Sequence, residues 1–471
     1  MLRALQAWGK PMRRQGWFVL LGGTMCIAFC ANAQGERVTL AGLLERAQTG
    51  EPTYLAARTD VAMAKARRDQ AFGALLPQIG MTGSANANDR NYRTRSPGVP
   101  TENDSYKSHA TQLSLTQPIW RYANIVGYQQ SRIVVEQTKY QMTGAGQVLF
   151  EKLVTAWFDV LAARDAVAFA ERQAEALNFQ WKAIVRGEEL GENSLPQLEE
   201  ARSKLEQAKS DLTTAQIELQ FKRVALEQLV GPLEEFSVPY LRGTVELSDP
   251  TREKLETWLS SAETGNPALR AAQSAFEAAA DEVRKQRAQH YPTLDLVASY
   301  GKNSQEVGGF PGQYGYDIKQ GTVGLQLNIP IYSGGAVSAK TAEAVAQQEK
   351  ARLEMDAARR TATLAVKQAW FIWQGATVRA AAGQQAIRAA RSYLDQATKG
   401  ANEGLFTQNE ILQAEQQLRA GERDFRKARY DQVVAHIKLK AATGILTASD
   451  VAALDALMVA ASSDTELGRS P

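Results

Sequence analysis

The chain has 471 residues, a formal net charge of +3 and a mean hydropathy of −0.33. That near-neutral balance gives no basis for nucleic-acid binding. Past the N-terminus no apolar run reaches the ~20 residues of a transmembrane helix, so any passage through a membrane has to be made by strands.

The N-terminus is predicted to be an export signal over residues 1–33. Arg13 and Arg14 are its basic region, residues 17–29 its apolar core, and Ala31-Asn32-Ala33 a small-x-small cleavage site. Met12 is a second candidate start. Both cysteines, Cys26 and Cys30, fall inside this segment, so the expected mature chain has no disulfide, thiol nucleophile or cysteine metal site. Phe29, which is not small, precedes Cys30 and argues against lipidation.

The rest reads as one plan used twice, over residues 34–231 and 251–444, with a connector at 232–250 and a tail at 445–471. Pro77 aligns with Pro292, Pro118 with Pro330, Ala156-Trp157-Phe158 with Ala369-Trp370-Phe371, Ser194 with Thr407, and Gly231 with Gly444. A repeat of ~210 residues is a duplicated domain rather than a solenoid. In the first copy, helices are predicted at about 39–49 and 53–75. A hairpin over 79–117 follows, then a long helix at 121–187, a turn, and a return helix at 195–230. The second copy repeats this with helices at about 251–264 and 268–290, a hairpin at 294–329, a long helix at 336–400 and a return helix at 408–443.

The strands show themselves by period-two alternation. Leu113 and Leu115 alternate with Ser114 and Thr116, and Val323, Leu325, Leu327 and Ile329 with Gly324, Gln326 and Asn328. Strands of about 79–88, 110–117, 294–300 and 323–329 are expected. Pro118 has no N–H to donate to a ladder, so its strand should end near it. In the return helix, Leu198, Leu205, Leu212, Leu219 and Leu226 recur every seven residues, with Ala201, Ala208 and Ala215 between them. That is a coiled-coil seam of alternating large and small knobs. A helix of ~65 residues is on the order of 100 Å long, too long for a globular core, so it must run beside others.

Four strands cannot close a barrel, which needs at least about eight. Insertion in a membrane therefore requires several chains sharing one barrel. Trp120, Tyr122, Tyr300 and Tyr332 are candidates for an aromatic girdle at the membrane interface. A different class of reading keeps the hairpins soluble, as caps on a periplasmic coiled-coil scaffold.

The duplication, the proline-bounded hairpins, the paired long and short helices, and the turns Gly191-Glu192-Asn193-Ser194 and Gly404-Leu405-Phe406-Thr407 together resemble the outer membrane efflux protein family. These are the TolC-like exit ducts of Gram-negative tripartite exporters. The missing lipidation cysteine looks more like the type I secretion branch, which would export a protein toxin such as cyclolysin. A drug or small-molecule efflux duct is the alternative. The resemblance implies a mainly helical α+β homotrimer with a shared twelve-stranded outer-membrane barrel above a twelve-helix periplasmic tunnel. It also implies a periplasmic adaptor (membrane fusion protein), an inner-membrane ABC transporter, an exported protein substrate and outer-membrane lipid as partners. Its tip turns would carry Gly191, Ser194, Gly404, Phe406 and Thr407, and its pore constriction Glu410 and Gln413. In the family both constriction positions are acidic, and Phe406 stands where the family has an arginine. Pro77, Pro118, Pro292 and Pro330 would mark the junctions of barrel and helices.

No enzymatic constellation is present. His109, His290 and His436 have no partner at metal-ligand spacing, and no Walker loop, Gly-x-Ser-x-Gly or dinucleotide fingerprint occurs. No cofactor is expected, and energy for transport would come from another protein.

Overall fold

A computed structural model describes residues 39–459 except 94, 96–97, 99–100, 192–193, 234–239, 242–249, 251–252, 311–312 and 404. The expected export signal, most of the connector, Gly404 and the last residues of the tail lie outside the described residues.

The first copy contains α1 (Leu40–Gly50), α2 (Pro52–Gly73), β1 (Gln78–Tyr92), β2 (Glu102–Trp120), α3 (Tyr122–Glu189) and α4 (Leu195–Val230). After a two-residue strand, β3 (Tyr240–Leu241), the second contains α5 (Leu255–Gly265), α6 (Pro267–Arg287), β4 (Thr293–Val307), β5 (Tyr314–Asn328), α7 (Ala336–Asn402) and α8 (Gln408–Thr443). Then come α9 (Ala448–Ala456) and β6 (Met458–Val459), which pairs with β3.

Local chemistry sets the boundaries. Pro52 and Pro267 occupy first-turn positions, where a missing N–H costs nothing. Glu51 and Asn266 cap those helices by accepting from the N–H groups of Tyr54 and Leu269, at 2.6 and 3.0 Å. Gly231 and Gly444 stop the return helices with φ of 80° and 84°.

Both hairpins join one antiparallel sheet in the order β1-β2-β4-β5, so β1 and β5 are its edges. The strands are longer than their alternation predicts, at 15, 19, 15 and 15 residues. The apolar period stops near Ala85, but a backbone ladder does not need apolar side chains. Beyond it the strands are held by cross-strand polar pairs, Asn88 to Ser108 at 2.9 Å and Arg90 to Asp104. The strand ends near Pro118, two residues on at Trp120. The ladder shifts register between Pro118 and Trp120 and continues, a bulge that accommodates the missing donor.

The helices form two stacked rows. Near the sheet, α3 packs on α2 and α6, and α6 on α7. Farther away the row is α4, α3, α8, α7: α3 packs on α4 and α8, and α8 on α7. The main core lies where the rows meet, with Trp157, Phe158, Leu153 and Leu161 of α3 buried against α1, α4, α8 and α9. A second core joins α5, α7 and α8 around Trp258, Trp370 and Trp373. His436 stacks on Trp373 at 4.8 Å and meets the edge of Trp258 at 6.2 Å.

Burial in that aromatic box, helped by the charge of Lys440, pushes the His436 imidazole down to about 4, against the opposing pull of Asp450. The folded protein thus favours neutral His436. Its contribution is present above about pH 6.5 and is lost as pH falls from there through 4, on the order of 3 kcal/mol in total. Melting followed by tryptophan fluorescence should show a downward shift between pH 6.5 and 4 that shrinks in His436→Phe. An equal shift in the variant would assign the acid sensitivity elsewhere.

Candidate functional site

The sheet has two chemically distinct faces. Its register places Ile79 beside Leu115 and Met81 beside Leu113, Leu113 beside Tyr300, Leu115 beside Ala298, and Leu296 beside Leu325. These residues, with Val323 and Leu327, make one apolar band across all four strands. Nothing among the described residues covers it, and Val323 is 76 % exposed. The opposite face carries Thr82, Ser84, Gln112, Ser114, Ser299, Gln320 and Thr322 in the same register. Beyond Tyr300 the apolar face ends in Lys302 and Lys319, which are paired across the strands.

At the helical end of the band, Trp120 stacks on Tyr122 at 6.2 Å, and Tyr122 meets Tyr291 at 5.7 Å. Tyr332 is 86 % exposed in the segment after β5. Tyr300 sits at the other limit of the band, so the four aromatics do not share one level. Pro77, Pro292 and Pro330 lie in the non-helical links between helices and strands, and Pro118 in the bulge. Arg121, the residue before α3, clamps the buried Asp295 of β4 with two bonds, Nε to Oδ1 at 2.8 Å and Nη2 to Oδ2 at 2.7 Å. This bidentate pair ties the first hairpin's exit to the second hairpin.

At the far end of the helices the turns are built from caps. Gly191 takes φ +78°, a conformation that disfavours any side chain. Ser194 donates its N–H and hydroxyl to Gln197 Oε1 at 2.9 and 3.1 Å. Thr407 and Glu410 form a reciprocal box: the Thr407 N–H and hydroxyl donate to Glu410 Oε2 at 2.7 and 2.9 Å, and the Glu410 N–H donates to Thr407 Oγ1 at 3.3 Å. The Thr407 backbone and then its hydroxyl hold the Glu410 carboxyl below the usual carboxylate range. Gln413 lies one turn on and is exposed. Phe406 packs edge-on against Tyr393 of α7 at 6.4 Å. A Cβ added to Gly400 would stand 2.6 Å from the Phe406 ring, so this glycine makes room for it.

Sequence reasoning missed the tie between α3 and α8. Asp165 is buried and accepts a 2.8 Å bond from the Tyr430 hydroxyl. It also pairs with Arg164 at 3.0 Å and Arg426 at 3.8 Å. Burial, and then the neighbouring Asp165 charge, push the Tyr430 hydroxyl upward, so it stays protonated as a donor. Toward the tip the same two helices line a half-open cleft of about 210 Å³ between Phe169, Arg172, Leu412 and Arg419. A lone aspartate on a helical face gave no distinct signal of this tie in the sequence.

Among the described residues no cluster of His, Cys, Asp and Glu could hold a metal ion. The site's chemistry is that of a surface and a passage: an apolar band, a polar opposite face, and a capped helical tip.

Asp295→Asn should weaken the junction by roughly 1.5–3 kcal/mol, the range for hydrogen bonds to charged groups. It would read as faster proteolysis after Trp120 with the helical signal kept. Gly400→Ala should drive Phe406 off Tyr393 and expose the second turn to protease. Unchanged cleavage at residues 400–407 would show that the ring is not seated by the glycine.

The family described as outer membrane efflux protein matches residues 43–232 and 258–445. The chain is 25% identical over 360 residues to the alkaline protease secretion protein AprF of Pseudomonas aeruginosa, covering 76% of this chain and 74% of AprF. It is 28% identical over 229 residues to Protein CyaE of Bordetella pertussis, covering 48% of each. Its fold is similar to the crystal structure of VceC from Vibrio cholerae, with a TM-score of 0.69, 19% identity, and 86% and 96% of the two chains covered. The soluble-scaffold alternative is set aside by these likenesses. The chain belongs to the outer membrane efflux protein family and is a TolC-like outer-membrane channel protein.

Proposed function

We propose that three copies of the chain form the exit duct of a type I secretion system, with a protein as cargo. The observation that carries the channel is the four-stranded sheet with an apolar outer band and two unpaired edges. In hydrocarbon each unsatisfied backbone group costs several kcal/mol, so β5 of one copy must pair with β1 of the next until the sheet closes. Three copies of four strands make twelve. The polar face then lines the lumen and the apolar band meets lipid, bounded at its helical end by Trp120, Tyr122 and Tyr332. The helical rows extend into the periplasm. An adaptor and an inner-membrane ABC transporter supply docking and energy.

A protein cargo is supported by the name of one relative, the alkaline protease secretion protein AprF. A toxin such as cyclolysin is one such cargo. The second reading is efflux of small molecules, and the word efflux in the family's description is what supports it. Deleting the gene separates the two: loss of one large protein from the culture supernatant with unchanged drug susceptibility supports secretion, and the reverse pattern supports efflux.

At the tip, the proposal gives Glu410 a ring of three carboxylates at the narrowest point, with Gln413 leaving the next ring uncharged. Glu410→Gln preserves the cap, since glutamine also serves in a capping box, and removes only the charge. Planar-bilayer recordings of the variant should show higher conductance or weaker block by divalent cations. Identical conductance and block would place Glu410 away from the constriction.

A further inference from the structure

The duplication maps the contact between copies. Positions in α3 and α4 correspond to those in α7 and α8 at a constant shift of 213 residues, as in Tyr122–Glu189 against residues 335–402 and Leu195–Val230 against Gln408–Thr443. Within one chain, α3 of the first copy packs on α8 of the second. In the lower helical row α4 and α7 are the two ends. The equivalent of the α3–α8 contact is therefore α7 against α4, which has to come from another chain.

The side chains at those equivalent places are apolar and uncovered. On α8, Tyr430, Val434 and Ile437 pack into the main core. Their counterparts on α4 are Ile217, Phe221 and Val224, and all three are exposed, Ile217 at 65 %. On α3, Phe158 meets Tyr430 at 5.6 Å, and Asp165 accepts its hydroxyl bond. Their counterparts on α7 are Phe371 and Val378, 62 % and 68 % exposed. Each stripe lies on the side of its helix turned from its own chain. On α4 the buried residues are Ala201, Leu205, Ala208, Leu226 and Val230, and on α7 they include Val366, Trp373 and Ala380. At 100° per residue, Ile217 and Phe371 fall roughly opposite those sets.

We infer that Ile217, Phe221 and Val224 of α4 dock on Phe371 and Val378 of α7 from a second copy of this chain, with Ile217 seated as Tyr430 is between Phe158 and Asp165. This rests on the ring assembly proposed above and specifies its register. It also distinguishes two kinds of seam in the ring. The seam inside each chain is tied by the buried Asp165 and Tyr430, with the half-exposed Arg426 pairing with Asp165. The seam between chains has Val378 where Asp165 would be and Ile217 where Tyr430 would be, so it is apolar and has no polar tie at that level.

Disulfide trapping tests the register. The only cysteines of the sequence are Cys26 and Cys30, inside the expected signal, so the exported chain gives a thiol-free background. Ile217→Cys combined with Phe371→Cys or with Val378→Cys, oxidised in the detergent-extracted full chain, should give covalent two-chain and three-chain bands for at least one pair. Ile217→Cys with Leu353→Cys is the control, displaced from Phe371 by about 27 Å along the helix at 1.5 Å per residue. A three-chain mass in detergent with no trapping in either test pair, or equal trapping in the control, overturns the seam and leaves the channel standing. A one-chain mass overturns both.

Discussion

An open sheet edge cannot rest in hydrocarbon, and the rest of the molecule follows from that. A soluble protein can leave an edge strand in water, which serves its free N–H and C=O groups. Here the edge strands carry the apolar band: Ile79 and Met81 on β1, Val323, Leu325 and Leu327 on β5. The side chains call for lipid on one face while the backbone calls for hydrogen bonds at both edges. Only further strands of the same kind satisfy both, and the described residues hold no others in this sheet. The helices obey the same rule with weaker energetics. A row of four helices has two ends, and its ends carry apolar residues without partners.

The two ends of the molecule use different chemistry. At the sheet end, a bidentate Arg121–Asp295 pair and the bulge at Pro118 fix how strands hand over to helices. At the tip, neutral hydrogen bonds and one carboxylate close each turn on itself, and Phe406 packs within its own hairpin on Tyr393. The described contacts at the tip are thus mostly within a hairpin. The charged tie between hairpins lies higher, at Asp165 and Tyr430. Toward the tip the hairpins share a neutral bond, from Gln180 Nε2 to Asn409 Oδ1 at 3.4 Å.

Much of this was legible in the sequence, because periodicity and punctuation report backbone geometry. The heptad leucines, the capping residues and the helix-ending glycines each answer a local demand, and the duplication doubles every signal. The strands were under-read: alternation records which side chains meet an apolar medium, not where the ladder ends. Pro118 marked the end of its strand to within two residues, while the bulge beside it left no trace in the pattern. The joining of the two hairpins into one sheet depends on a β2–β4 pairing between residues nearly 200 apart, which no local pattern encodes. The polar tie at Asp165 and the box around His436 also escaped notice. Their partners lie on different helices, and a single aspartate or histidine on a helical face looks the same whether it meets solvent or a buried hydroxyl.

The central claim is that both sheet edges are paired by sister chains in the membrane. Amide hydrogen exchange in the detergent-extracted protein, read along Gln78–Tyr92 and Tyr314–Asn328, tests it most directly. If the edges are paired, every amide in the apolar part of these strands exchanges as slowly as those of the interior strands. If alternate amides of β1 and β5, those facing away from β2 and β4, exchange fast, the edges are open and the shared barrel does not exist.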